Sequence, residues 1–354
     1  MIFSNLLIQW YLQNKRDLPW RNTTNPYFIW LSEIMLQQTR VAQGMPYFLS
    51  FTTAFPTVFD LAKADEEQVL KLWQGLGYYS RARNLHYTAQ YIANDLSGIF
   101  PDTYNDLLKL KGIGDYTAAA IASFSYNEAV PVVDGNVFRV LSRYFNVETD
   151  ITLASAKKEF AALAFELMPK DSRGGAELSE ANPAIFNQAI MEFGALQCVP
   201  KSPDCSVCIF NESCAGLQKN KVSQLPVKSK KLKVRNRYFN YLVVSDDNDD
   251  TLIQKRTAKG IWQNLYEFPV IETETVKGFE YMAPLVKNNF FKGNEVVSIM
   301  ECNEESIIHK LSHQHLYIKF WKIKVKGVVE NGIDKVALKT FPFPIVIHNF
   351  IEKE

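Results

Sequence analysis

Residues 111–120 read KGIGDYTAAA, two glycines two apart running into what begins as a helix. A Gly-x-Gly hairpin between short helices lets the backbone N–H groups of residues 112–115 point outward together, where they can cradle a phosphate. By itself the pattern is equally an ordinary turn; its surroundings give it weight. Leu107 to Leu110 end a short helix before it, and Ala118 to Ala122 suit a helix packed closely on a neighbour. Downstream, VPVVDGNVFRVLSR sets Asp134 where the stripe of Val137, Val140, Leu141 and Tyr144 begins. Aspartate is among the best N-caps, which alone would account for it. A helix N-terminus also keeps a capping carboxylate ionised, which suits a group that must meet a developing cation.

Helical periodicity fills the first two-thirds of the chain. Phe3, Leu6, Leu7, Trp10 and Tyr11 mark one face of an N-terminal helix. Asn25 caps a helix opened by Pro26, with Trp30, Ile34 and Val41 on its buried face. Asp65 and Gln68 resemble a capping box, and Gly75 and Gly77 stop that helix. Leu85, Ala89, Ile92 and Leu96 carry the next, and helices follow near 153–168 and 183–196. GGAELSEAN (174–182) reads as a polar loop. The first domain is therefore expected to be all-α, residues 1–216.

The 354 residues have room for two domains, and a net charge of +1 neither implies nor excludes a nucleic-acid partner. No apolar run reaches membrane-spanning length and no targeting signal is legible, so a cytoplasmic location without a membrane partner is expected. Residues 217–237 hold eight Lys and Arg and no acidic residue. They read as a solvated basic linker able to touch phosphates. At its end and beyond, residues 236–256 suggest strand, acidic turn, strand. Residues 315–327 form a further strand whose alternation shifts near Trp321, suggesting a bulge, and Pro344 opens a closing helix. An α+β domain over residues 238–354 follows.

Four of the five cysteines, Cys198, Cys205, Cys208 and Cys214, stand as Cys-x6-Cys-x2-Cys-x5-Cys. Both structural zinc and a [4Fe–4S] cluster accept four thiolates. One Cys-x2-Cys knuckle, where zinc sites more often show two, favours the cluster, and a disulfide framework comes last. Cys302 stands alone and reads as a small buried residue.

The hairpin, VDGNV and the cysteine spacing, in that order, resemble the helix-hairpin-helix DNA glycosylases of the endonuclease III superfamily. LPWR (18–21), PYFIWLSEIMLQQTRV (26–41) and GLGYYSRARNL (75–85) are similar to its adenine-excising branch. The resemblance is dense to about residue 215 and looser beyond. It implies base flipping and hydrolysis of the N-glycosidic bond of adenine paired with 8-oxoguanine or guanine. The expected partner is mispaired duplex DNA, bound by a monomer carrying a [4Fe–4S] cluster with Lys201 near its DNA-contacting loop. Glu33 matches the acid that protonates adenine, its pKa raised by apolar neighbours. Asp134 matches the carboxylate that stabilises the sugar cation, with Asn136 its partner. Trp20, Arg21, Leu36 and Gln188 match the adenine pocket. Gln38 and Thr39 match the gap-filling residues, Gly112 and Gly114 the DNA-binding hairpin, and Tyr78 the wedge beside 8-oxoguanine. Tyr116 stands where bifunctional relatives carry a Schiff-base lysine; a phenol cannot serve so, and is expected to hydrogen-bond Asp134.

The second domain resembles the Nudix-like C-terminal domain of that branch. GIWQNLYEFP (260–269) matches the region before the Nudix catalytic box, and the box itself is absent downstream. LSHQH (311–315) matches a recognition turn for 8-oxoguanine, with Ser312 and His313 the matching residues and Leu311 in place of a commoner aromatic. A polar turn before a strand is the plainer reading of the same residues. Rival functions are a glycosylase/lyase on oxidised pyrimidines, which needs an amine nucleophile, a Nudix-type hydrolase fused to a helical DNA-binding module, and a silent iron–sulfur DNA-binding protein.

Overall fold

Local signals set most helix boundaries. The structure, a computed structural model, describes residues 2–169, 182–229, 234–289 and 295–354; the loop expected at 174–182 lies outside them except for Asn182. In chain order the helices are α1 (Ile2–Asn14), a 3-10 turn (Pro19–Arg21), α2 (Pro26–Met35), α3 (Val41–Ala54) and α4 (Val58–Lys63). Then come α5 (Glu66–Leu72), α6 (Ser80–Asn94), α7 (Tyr104–Leu107), α8 (Asp115–Tyr126) and α9 (Gly135–Phe145). α10 (Ala154–Leu167), α11 (Pro183–Leu196) and α12 (Ala215–Gln218) follow. By contact the chain divides into two units, Met1–Lys63 with Asn84–Lys230, and Ala64–Arg83 with Lys231–Glu354. Residues 64–83 thus group with the C-terminal residues, a connection invisible in linear order.

Asn25 caps α2 by accepting the Tyr27 N–H at 2.9 Å. That helix ends at Met35, short of Val41, because Gln38 takes φ 58° and reverses the chain into α3. Asp65 is the N-cap of α5, yet its side chain makes no capping bond, so the expected box does not form. In the first unit, Phe3, Leu7 and Tyr11 of α1 pack with Val137, Val140 and Leu141 of α9, Phe160 of α10, and Phe186 and Phe193 of α11. Leu6, expected on that face, is exposed. Ala118 to Ala122 are all buried, and such small side chains let α8 lie close against α2.

The expected basic linker is only partly a linker. Its start lies in α12, and Arg143 binds the carbonyls of Val222 and Leu225. Its end, Arg235–Arg237, already belongs to β1 (Arg235–Ser245). The remaining strands are β2 (Gln254–Lys255), β3 (Tyr266–Glu267), β4 (Val270–Thr273), β5 (Val296–Glu301), β6 (Ile307–Lys310) and β7 (Gln314–Val325), with helices α13 (Phe279–Asn289), α14 (Lys335–Leu338) and α15 (Ile345–Ile351). The main sheet runs β4-β1-β7-β5, with β6 also on β7, and β2 pairs with β3. β1 and β7 are parallel in unbroken register, so no bulge interrupts β7 at Trp321. The alternation shifts because both faces are covered: Phe320 stacks on Phe350 of α15 at 3.9 Å, while Trp321 packs with Met282 and Val286 of α13. Within this unit Glu66 and Glu67 of α5 accept bonds from Asn264 at 2.6 Å and Tyr266 at 2.7 Å.

α11 crosses α9 at a glycine. A Cβ on Gly194 would sit 2.7 Å from Asn136 Cβ and 3.0 Å from its carbonyl oxygen. Gly194→Ala is expected to cost roughly 1–3 kcal/mol by overpacking this crossing. Gly135→Ala, with nothing within 4 Å, should hold or raise the urea midpoint. Equal midpoints for the two variants would contradict this packing.

Candidate active site

Asp134 sits in extended backbone as the N-cap of α9. Its Oδ1 accepts the backbone N–H of Asn136 and of Val137, both at 2.8 Å, and its Oδ2 accepts Asn136 Nδ2 at 2.7 Å. Asn136 is thus its local partner, as expected. Burial pushes the Asp134 carboxyl above its ordinary range, opposed by those bonds and by the Arg139 charge. Asn187, wholly buried on α11, braces the approach to Asp134: its Nδ2 donates to Val130 O and Ser123 Oγ, and its Oδ1 accepts the Val132 N–H.

Glu33 lies on α2 and is 6% exposed. Its pKa is pushed up to about 7, first by burial, with the Asp134 charge adding and a hydrogen bond from Tyr116 and the Arg21 charge opposing. Tyr116, on the first turn of α8, donates its hydroxyl to Glu33 Oε2 at 2.6 Å. The expected bond from Tyr116 to Asp134 is therefore replaced by one to Glu33, because the close approach of α8 to α2 brings the phenol to that carboxyl. Tyr116 still feels both acids: burial first, then Glu33 and Asp134, hold its pKa well above the ordinary value. It is a phenol at any working pH.

The other expected pocket residues divide. Trp20 is buried with its ring against Phe48 at 4.9 Å, and Leu36 is half-buried beside Gly44. Arg21 is committed to Glu192, donating to Oε1 at 2.8 Å and Oε2 at 2.6 Å, and Arg16 grips the same carboxylate. Gln188 accepts the Tyr11 hydroxyl on Oε1 at 2.5 Å. Neither Tyr11 nor Glu192 is apparent as a site residue from the sequence. Glu192 carried a signal, the only charged residue of α11 and one helical turn after Gln188. Burial would raise its pKa, yet the two guanidiniums hold it at about 2.

At the hairpin, Gly112 needs φ +81°, and a Cβ there would meet Asn84 Cβ at 2.7 Å. Gly114 has nothing within 4 Å, and as N-cap of α8 it leaves that helix's first N–H groups without a side-chain cap. Gln38 is exposed in left-handed backbone beside half-buried Thr39. Tyr78, Ser312 and His313 belong to the second unit, unlike the residues above. There Tyr78, at φ 49°, shares a hydrogen bond with Ser312. Both line a hollow of about 950 Å³ with His313, Arg235, Arg237 and Trp262. The turn closes through Leu311 N–H to Gln314 O at 2.8 Å, a backbone pairing that does not depend on the side chain at 311.

Cys198, Cys205, Cys208 and Cys214 line one apolar concavity with Arg143 and Phe210. Among the described residues no three His, Cys, Asp or Glu side chains stand together in metal-holding geometry. The donor set nevertheless suits a thiolate-bound centre. Arg143 Nη1 and the Phe210 N–H each point at a sulfur, Cys198 and Cys208, at 3.4 Å. Burial pushes the Cys208 thiol up to about 11 and raises those of Cys205 and Cys214, so these sulfurs ionise only against a cation. Arg139 ties this loop to the cap: Nε donates to Cys198 O at 2.7 Å and Nη2 to Asn136 Oδ1 at 2.8 Å.

Residues 31–166 match the HhH-GPD superfamily of base excision DNA repair proteins, and residues 240–353 match the NUDIX domain. The adenine DNA glycosylase of Buchnera aphidicola (subspecies Schizaphis graminum) is 35% identical over 90% of this chain and 86% of its own length. That of Arabidopsis thaliana is 36% identical over 96% of this chain and 60% of its own. Among solved structures, a thermostable thymine-DNA glycosylase superposes with a TM-score of 0.54 at 29% identity, covering 62% of this chain and 96% of that one. The capped Asp134, the buried Glu33 and the extent of these matches together place the chain in the adenine DNA glycosylase family.

Proposed function

We propose that this protein is a monofunctional glycosylase that excises adenine paired with 8-oxoguanine or guanine from duplex DNA. The observation that carries it is the trio of Glu33, Asp134 and Tyr116: one buried and one half-buried carboxyl in unlike surroundings, with a phenol bonded to the buried one. Adenine leaves poorly until protonated. Glu33, neutral up to about pH 7, gives its proton to a ring nitrogen, N7 by family resemblance, as the C1′–N9 bond breaks. The electron pair of that bond leaves with adenine, and the sugar becomes an oxocarbenium ion. Asp134, held by three hydrogen bonds, supplies the negative charge that stabilises it. Water adds its hydroxyl to C1′ and returns a proton to Glu33. Tyr116 has no amine with which to form a Schiff base, so the strand stays intact at an abasic site.

Arg21 and Gln188 fit the adenine pocket, Gln188 reading the base edge. Gly112 and Gly114 fit a phosphate contact, Gln38 and Thr39 the space left by the flipped base, and Tyr78, Ser312 and His313 the opposite 8-oxoguanine. The four cysteines would hold a [4Fe–4S] cluster, whose contribution is to shape the loop around it. Arg139 and Arg143 brace that loop through its carbonyls.

Duplexes carrying A:8-oxoguanine, A:G, A:T or thymine glycol test this reading. Strand breaks are expected on the first two only, and only after alkali; cleavage of the thymine glycol strand without alkali would refute it. Asp134→Asn should lower excision on the order of 10³-fold or more while DNA binding persists.

The pH dependence follows from Glu33. Excision should fall as pH rises through about 7, where the acid loses its proton. The Tyr116 bond lowers the Glu33 pKa, so Tyr116→Phe should move that limb upward. Stability shifts with the same sign. The folded carboxyl keeps its proton to about 7 and the unfolded one loses it near 4.5, so the native state binds more protons between them and is destabilised as pH rises through that window. Glu33→Gln removes this penalty, gaining on the order of 3 kcal/mol over the parent at pH 8 relative to pH 4. Equal gains at both pH values in urea unfolding would contradict the burial argument.

A further inference from the structure

Gln188 can face a base with either end of its amide, and the two ends read opposite patterns. Adenine's Watson–Crick edge presents a donor at N6 and an acceptor at N1. Hypoxanthine presents the reverse, an acceptor at O6 and a donor at N1. An amide whose Oε1 meets the six-position and whose Nε2 meets N1 fits adenine; the flipped amide fits hypoxanthine.

The structure fixes which end is where. Tyr11 is 2% exposed, and its hydroxyl donates to Gln188 Oε1 at 2.5 Å. Burial raises the Tyr11 pKa, with the Arg21 charge opposing, so the phenol keeps its proton. If the amide flipped, its NH₂ would face the phenol, whose proton would lose its acceptor in a buried setting. A buried donor left without a partner costs more than the bond itself contributes. The bond uses one lone pair of Oε1 and leaves the other, with both hydrogens of Nε2, for a base. The Arg21 guanidinium lies 5.8 Å from the Tyr11 ring centroid, and its charge is also felt at Glu33.

We propose that Tyr11 is a positioning residue for base selection, locking the Gln188 amide in the orientation complementary to adenine and opposed to hypoxanthine. This rests on the reading of Gln188 as the residue that meets the base edge. Neither side chain touches a reacting bond, so the effect falls on discrimination between bases.

The test compares single-turnover excision of adenine and of hypoxanthine, each opposite 8-oxoguanine, by the unaltered protein and by Tyr11→Phe. Phenylalanine keeps the ring and its packing and removes only the hydroxyl. The adenine rate should fall roughly tenfold while hypoxanthine holds or rises, narrowing the ratio by about that factor. Gln188→Glu, which offers only acceptors, should likewise lose adenine selectively and serves if Tyr11→Phe does not fold. A ratio unchanged in Tyr11→Phe, whether both rates hold or both fall together, would overturn the proposal, since a merely structural defect lowers both equally. The same ratio unchanged in Gln188→Glu would also overturn it. Absence of adenine release by the unaltered protein would instead overturn the functional reading, and this inference with it.

Discussion

The first unit depends on how one aspartate satisfies a helix end. The opening N–H groups of α9 need acceptors, and the Asp134 carboxylate provides them. The bonds that start the helix also aim the carboxylate and hold down a pKa that burial raises. Asn136 takes the remaining oxygen, Arg139 takes Asn136, and Arg139 ends on the Cys198 carbonyl. Helix start, capping carboxylate and cysteine loop are thus one hydrogen-bonded chain. Gly194 lies against it with no room for a side-chain carbon. A defect anywhere along it leaves a buried polar group unpaired, at the cost of a full desolvation penalty.

Two glutamates show how surroundings decide the work of a side chain. Glu33 and Glu192 are both nearly inaccessible, at 6% and 1% exposure. Burial raises both. Glu192 meets Arg16 and Arg21 and ends at about 2, a permanent anion that fixes the guanidinium of Arg21. Glu33 meets a phenol and a distant guanidinium, and ends at about 7. The same residue type thus ends as a fixed anion in one setting and as a protonated carboxyl up to about pH 7 in the other.

Much of the fold was legible wherever local physics decides it. Asn25, Asp134 and Pro344 marked helix starts because capping is read within a few residues. The stripes of α6 and α9 and the spacing of the four cysteines needed no tertiary knowledge. Non-local pairing escaped. That Tyr116 would bond Glu33 depended on the approach of α8 to α2, and the Tyr11 bond to Gln188 joins residues at opposite ends of the helical unit. The grouping of 64–83 with the C-terminal residues likewise rests on side-chain bonds such as Glu67 with Tyr266. At Trp321 the alternation broke for a reason that periodicity cannot see: helices cover both faces of β7. Short capping bonds are written in sequence; long-range ones are written in packing.

Gln38 and Tyr78 carry a shared physical mark. Both are non-glycine residues held in the left-handed region, at φ 58° and 49°. Such conformations cost on the order of 1 kcal/mol or more each and persist where the surroundings enforce them. For Gln38 the enforcing element is the turn that ends α2 and opens α3. For Tyr78 it is the glycine turn after α5, and Trp73 Nε1 binding Gly77 O at 3.0 Å clamps that turn. Arg81 lies over the Tyr78 ring at 5.4 Å, and Ser312 holds its hydroxyl. A half-exposed aromatic fixed at its backbone, face and tip has little entropy left to lose on meeting a base. That is preorganisation, paid in backbone strain when the protein folds, and it suits the wedge role proposed for Tyr78.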